Sequence, residues 1–328
     1  MKRVLPLLLL TACATAYEPT YPTIGAIDSV DEGILAKGAA VENLGGEFLW
    51  SEGPVWMEDG YLLFTDVPGN SIWKFTEEDG LELWMQPSGS KVKADYTSSP
   101  GANGLFPAGD GRLLVPDHGN RALYAMDVDT QVKTVLADTY EGKRLNSPND
   151  AVVHSSGAVY FTDPPYGLID QDDNPAKDLD FNGVFALWPN GDLTVIDSTL
   201  TRPNGIALSP DGATLYVANS DPDDSKYLSY PVAEDGTVGA GSLFLDVTAE
   251  RKSEGFGNPD GMAVAEDGTI FATGPGGVWV LSPEAEQLGI IRTGKPVANV
   301  AFGDADRKTL YMTSYDTLTR VRTNKTGL

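Results

Sequence analysis

One phrase returns six times along this chain, and few folds can absorb such a pattern. Each copy has a Gly- or Asn-centred start, a short apolar strand, a tight turn and a second apolar strand. The copies begin SEGPVW at Ser51, GANGLF at Gly101, SPNDAV at Ser147, RPNGIA at Arg202, NPDGMA at Asn258 and VANVAF at Val297. Glu52, Asn103, Asn149, Asn204, Asp260 and Asn299 hold the same place in each, separated by 51, 46, 55, 56 and 39 residues. A period of this length marks a radial or stacked repeat. The recurring polar position carries a side-chain oxygen every time.

The fourth copy shows what one unit contains. Asn204-Gly205 precedes Ile206–Leu208, a Ser-Pro-Asp-Gly turn and Leu215–Val217. Two short strands flanking a Gly-bearing turn read as a hairpin. Further strands are expected at Tyr227–Pro231 and Ser242–Asp246. Four antiparallel strands in each of six units predict a six-bladed β-propeller. After Val297 only three strands remain. Residues 39–44 precede the first copy and have no blade of their own, so they are expected to complete the sixth and close the ring.

This geometry places a site. The marked positions open the innermost strands near the axis, and the second strands run back to the same face. The mouth is therefore expected to include Asp66, His118, Asp163, Tyr166 and the loops around Ser220, Gly274 and Tyr315. Two longer excursions, 89–100 and 168–181, are placed to cap it. His154 falls near the opposite face and is expected to be a surface residue. Arg121 opens a strand and reads as structural.

Bulk composition narrows the partners. With 23 basic and 47 acidic residues the net charge is -24, which repels nucleic acid and anionic lipid. The N-terminus reads MKRVLPLLLLTACAT. A basic start, a short apolar run and a small-residue site make residues 1–12 an export signal. Leu-Thr-Ala-Cys resembles the bacterial lipobox, so Cys13 is expected to be lipidated and to anchor the chain, periplasm-facing, with the outer membrane as the expected location. The lipid is then the only membrane contact expected. Cys13 is the single cysteine, which excludes an internal disulfide. Residues 13–30 read as a tether and 31–328 as the propeller.

Asn-Gly and Asp-Gly are common turn pairs. Each copy, however, already has a separate hairpin turn, such as Asp110-Gly111 or Asp211-Gly212. The ring positions are thus free for another task. Glu52, Asn149, Asn204 and Asp260 supply two carboxylates and two amide oxygens, a donor set suited to a hard divalent cation. Zinc is disfavoured by a chain with two histidines and one cysteine.

SEGPVW, the GKRLNSPND run ending at Asp150, YFTDPPYGL from Tyr160, RPNGIALSPDG and NPDGMAV resemble the SMP-30/gluconolactonase/luciferin-regenerating family over roughly residues 40–320. The resemblance implies a six-bladed propeller, a cation held by Glu52, by Asn149 or Asn204 or both, and by Asp260, and hydrolysis of a sugar lactone. Calcium is the usual cation, with magnesium, manganese or zinc as alternatives. Asp260 then accepts a proton from water or acts as nucleophile. Asn103, His118 and Tyr166 are placed to bind substrate, and His118 is also a candidate acid/base. Two competing readings are a phosphotriesterase- or arylesterase-like hydrolase and a non-catalytic envelope propeller that binds a partner or glycan.

Overall fold

The computed structural model describes residues 17–31, 33–92 and 94–328. The export signal and Cys13 lie outside the described residues. Six antiparallel sheets are arranged around one axis as a β-propeller. The first blade consists of Ser51–Met57, Tyr61–Asp66, Ser71–Thr76 and Gly80–Met85. The fourth contains Pro203–Leu208, Thr214–Asn219, Lys226–Pro231 and Ser242–Asp246, close to the reading of its repeat.

Ring closure follows the expectation. Val41–Gly46 pairs antiparallel with Thr317–Arg322 as the outer strand of the last blade. The preceding segment corrects the sequence reading. Residues 17–30 are not a free tether, because Thr23–Ile24 pairs with the closing strand and Ala26–Asp28 pairs with Gln287–Arg292 of the fifth blade. The N-terminal segment thus straps the fifth and sixth blades together.

Alternation of side chains explains the apolar runs. Leu62 and Phe64 pack toward the sixth blade, whereas Leu63 between them packs toward the second. All three are fully buried. A second strand lies between neighbouring blades and must be apolar on both faces, as its period of two requires. Six apolar clusters result, one at each junction between neighbouring blades.

The glycines after the ring residues have a packing role. A Cβ at Gly205 would lie 2.0 Å from the Asp260 carbonyl oxygen. At Gly53 it would lie 2.4 Å from that of Asn103, and at Gly104, 2.8 Å from that of Asn149. Each glycine admits the next blade at the axis. Buried threonines tie the same junctions: Thr65 Oγ1 donates to the Asn103 carbonyl (2.8 Å) and Thr162 Oγ1 to that of Asn204 (2.6 Å).

Candidate active site

Glu52, Asn103, Asn149, Asn204 and Asp260 line one cavity of about 420 Å³ at the axis, with His118 and Tyr166. Every side chain named above as a cation ligand or substrate binder is therefore brought together. Bulges at Glu52/Val55 and Pro203/Ile206 break the inner-strand register where the two blades turn Glu52 and Asn204 inward. Asn299, the sixth ring member, does not join them. It lies below, against a second cavity of about 440 Å³ at the far face. That cavity is walled by Trp56, Phe106, Ile206, Met262 and Phe302, with Asp150, His154, Asp211 and Arg307 among its polar lining residues.

Several mouth residues differ from expectation. Asp66 and Asp163 hold backbone rather than facing the cavity. The Asp163 carboxylate accepts the Asn146 and Ser147 N–H groups, both at 2.7 Å. Asp66 accepts those of Leu49 and Trp50, both at 3.1 Å. His154 is buried rather than on the surface, with Nδ1 2.9 Å from Ser156 Oγ and its ring against Tyr160. Arg121 is structural as read: Nε donates to the Leu145 carbonyl at 2.7 Å. The two excursions meet each other, Ile169 N donating to the Tyr96 carbonyl at 2.8 Å. Ser99 brings the first of them into the cavity wall.

The sequence reading gave no role to Asp150, which lines the far-face cavity with Asn299. In the third copy an aspartate replaces the glycine that usually follows the ring residue. Its carboxylate accepts the Ala151 N–H at 2.9 Å and faces the Asn299 amide at 3.5 Å. Departure of this copy from the Asn-Gly pattern is the signal that marks it. Ser220 lies in a loop expected at the mouth, but the sequence reading gave it no role. It accepts a hydrogen bond from Asn204 Nδ2 at 3.1 Å and lies 2.5 Å from the Tyr166 hydroxyl. That contact fixes the amide, leaving Asn204 Oδ1 buried without a hydrogen-bond partner.

The electrostatics favour a cation. Burial raises the affinities of Glu52, Asp150 and Asp260 for protons, Asp150 to about 7. Neighbouring carboxylate charge adds to the effect at Glu52 and Asp260. No lysine or arginine is among the described lining residues to offset them. Asp260 Oδ1, like Asn204 Oδ1, is buried and unpaired. Among the described residues no group of three or more His, Cys, Asp or Glu is arranged for a metal. The candidate set is instead mixed, two carboxylates with two amides, and that donor chemistry fits a hard cation.

His118 is different. Burial alone lowers its pKa to about 3, so the ring is neutral at ordinary pH. Nε2 lies 3.1 Å from Asn103 Nδ2, and Nδ1 is buried without a partner. The pair offers hydrogen-bonding groups to a ligand in the cavity.

Comparison with known proteins agrees with this architecture. Residues 50–316 match the family model described as SMP-30/Gluconolactonase/LRE-like region. The chain is 40% identical over 314 residues to a gluconolactonase of Zymomonas mobilis, covering 93% of this chain and 88% of that protein. It is 37% identical over 268 residues to a 6-deoxy-6-sulfogluconolactonase of Pseudomonas putida, covering 80% and 82%. The solved gluconolactonase of Xanthomonas campestris superposes with a TM-score of 0.78 at 27% identity, covering 94% of this chain and 99% of that one. On the extent of these matches, the chain belongs to the SMP-30/gluconolactonase/LRE-like family.

Proposed function

We propose that this protein is a metal-dependent lactonase that opens a sugar lactone by attack of water on the ester carbonyl. The observation that carries the reading is the set of three buried, unpartnered oxygens, Asn103 Oδ1, Asn204 Oδ1 and Asp260 Oδ1, on side chains that line one cavity. Glu52, Asn149, Asn204 and Asp260 would hold the cation, with calcium expected. Bound there, it would supply positive charge where negative charge develops on the substrate oxygen.

The residues of the chain divide the remaining work. Asp260, whose basicity burial raises, takes the proton of the attacking water. Asn103, neutral His118 and the Tyr166 hydroxyl orient substrate hydroxyls. Burial also raises the Tyr166 pKa, which keeps the hydroxyl neutral. Ser220 holds Asn204 and Tyr166 in place.

Thermal unfolding tests the cation part without measuring activity. The folded-state pKa values of Glu52, Asp150 and Asp260 are raised above ordinary carboxylate values. In cation-free protein the favourable contributions of Glu52 and Asp150 are full below the unfolded-state pKa, about 4, and are lost as pH rises through about 7, with Asp260 shifted in the same direction. A bound cation favours the ionised forms. The gap in Tm between calcium and chelator should therefore widen from about pH 6 to about pH 8. A gap that is absent or shrinks with rising pH would separate the carboxylates from cation binding. A panel of aldonolactones, with aryl esters and phosphotriesters as comparators, tests the substrate class. Export and lipidation at Cys13 remain part of this proposal, and mass spectrometry of the mature N-terminus checks them.

A further inference from the structure

Leu49, Trp50 and Tyr315 form an apolar shelf at the edge of the cavity, and the lactone chemistry described above does not use it. Leu49 is 62% exposed and Tyr315 43% exposed. The Trp50 and Tyr315 rings meet edge to face, 5.5 Å between centroids. Leu49 and Trp50 both line the cavity that contains Glu52. The shelf is therefore continuous with the candidate cation site. Clustered exposed apolar groups at a cavity edge mark a contact surface more than isolated ones do.

The backbone holds the shelf firmly. Asp66 fixes the Leu49 and Trp50 amides, as described above. The Tyr315 carbonyl accepts the Ser51 N–H at 2.7 Å and the Ser51 hydroxyl at 2.9 Å. The Asp316 carbonyl accepts the Glu47 N–H at 2.8 Å. Tyr315 occupies the two-residue connection between paired Ser314 and Thr317, with φ of 58°. Glycine or asparagine adopts that conformation with little strain, whereas a bulky residue does not. A strained tyrosine held at a site's edge is a reason to look for a role of its ring.

We propose that the shelf is a second subsite, which takes the C–H face of a sugar unit joined to the lactone. The substrate class then extends to disaccharide aldonolactones, with the lactone ring in the cavity and the second ring on Trp50 and Tyr315. The inference rests on the lactonase reading of the cavity. A pyranose has an apolar face and a hydroxyl rim. The aromatic rings suit the face. Tyr315 also has its own hydroxyl, and the Lys295–Asp316 ion pair beside it is partly exposed, both suited to the rim. A plain alkyl or aryl substituent would match the rings but leave those polar groups unused.

The test compares kcat/KM for cellobiono-1,5-lactone and glucono-1,5-lactone in the calcium-loaded full chain. Tyr315→Asn removes the ring and retains a residue that tolerates the left-handed backbone. Leu49→Asn changes an exposed side chain and serves as a second variant. The disaccharide-to-monosaccharide ratio should fall about five- to tenfold in Tyr315→Asn and by a smaller factor in Leu49→Asn, mainly through KM. An unchanged ratio in both folded variants would overturn the subsite, as would an equal loss on both lactones. A selective loss on phenyl esters, without one on the disaccharide, would reassign the shelf to apolar substituents and overturn the proposal. Wild-type protein inactive on both lactones would instead reject the lactonase reading, and the subsite with it.

Discussion

Asp260→Asn should lower lactone hydrolysis by about two to four orders of magnitude, the range typical of losing a general base or an electrostatic stabiliser. The substitution keeps the side-chain shape and a ligand oxygen. It removes the negative charge and the proton acceptor. Asp260 lies among Glu52 and Asp150, so the neutral amide also relieves carboxylate repulsion in the cation-free protein. The propeller should remain folded, and its Tm in chelator should not fall. Steady-state kinetics together with a melting curve check both parts. Full activity in the variant would remove the catalytic role from Asp260. His118→Ala should be milder, because neutral His118 contributes hydrogen bonding rather than charge.

Arg320→Ala should destabilise the fold by about 3–5 kcal/mol, the usual cost of leaving a buried charge without its partner. Glu42, on the closing strand, is fully buried. It accepts from Arg320 Nε at 3.0 Å, the Tyr17 hydroxyl at 2.5 Å and the Tyr21 N–H at 2.9 Å. These bonds outweigh burial and hold its pKa below the ordinary value. Removing the guanidinium leaves that buried carboxylate without its cation, bonded only to the Tyr17, Thr20 and Tyr21 donors. Urea unfolding of the variant measures the loss. A change below about 1 kcal/mol, the scale of an exposed ion pair, would show that the Arg320–Glu42 pair does not stabilise the ring closure. Arg320→Met combined with Glu42→Gln should recover part of the loss, because no buried charge is then orphaned.

Much of this molecule was legible because the repeat carries both fold and site. A residue that returns six times at one structural position must lie on a ring, and the outer-strand deficit of the last blade must be met from the N-terminus. Strap residues 23–28 were opaque. Their pairing is set by which outer edge remains free, a property of the assembled blades and not of the segment's own composition. Asp66 and Asp163 were misplaced for a related reason. Chain geometry put them at the mouth, but short carboxylates beside unpaired N–H groups turn back onto the backbone. Asp150 was hidden in a motif read for its asparagine. The structure shows that the following position is normally closed to any Cβ, which makes an aspartate there informative.

The central claim is that lactone hydrolysis needs a cation held by Glu52, Asn149, Asn204 and Asp260. Its most direct test is wild-type hydrolysis of glucono-1,5-lactone after exhaustive chelation, followed by titration with calcium. The rate should fall by at least about a hundredfold, the size of effect seen when preorganised charge stabilisation is removed, and should return as calcium is added. An unchanged rate in the stripped protein would contradict the account.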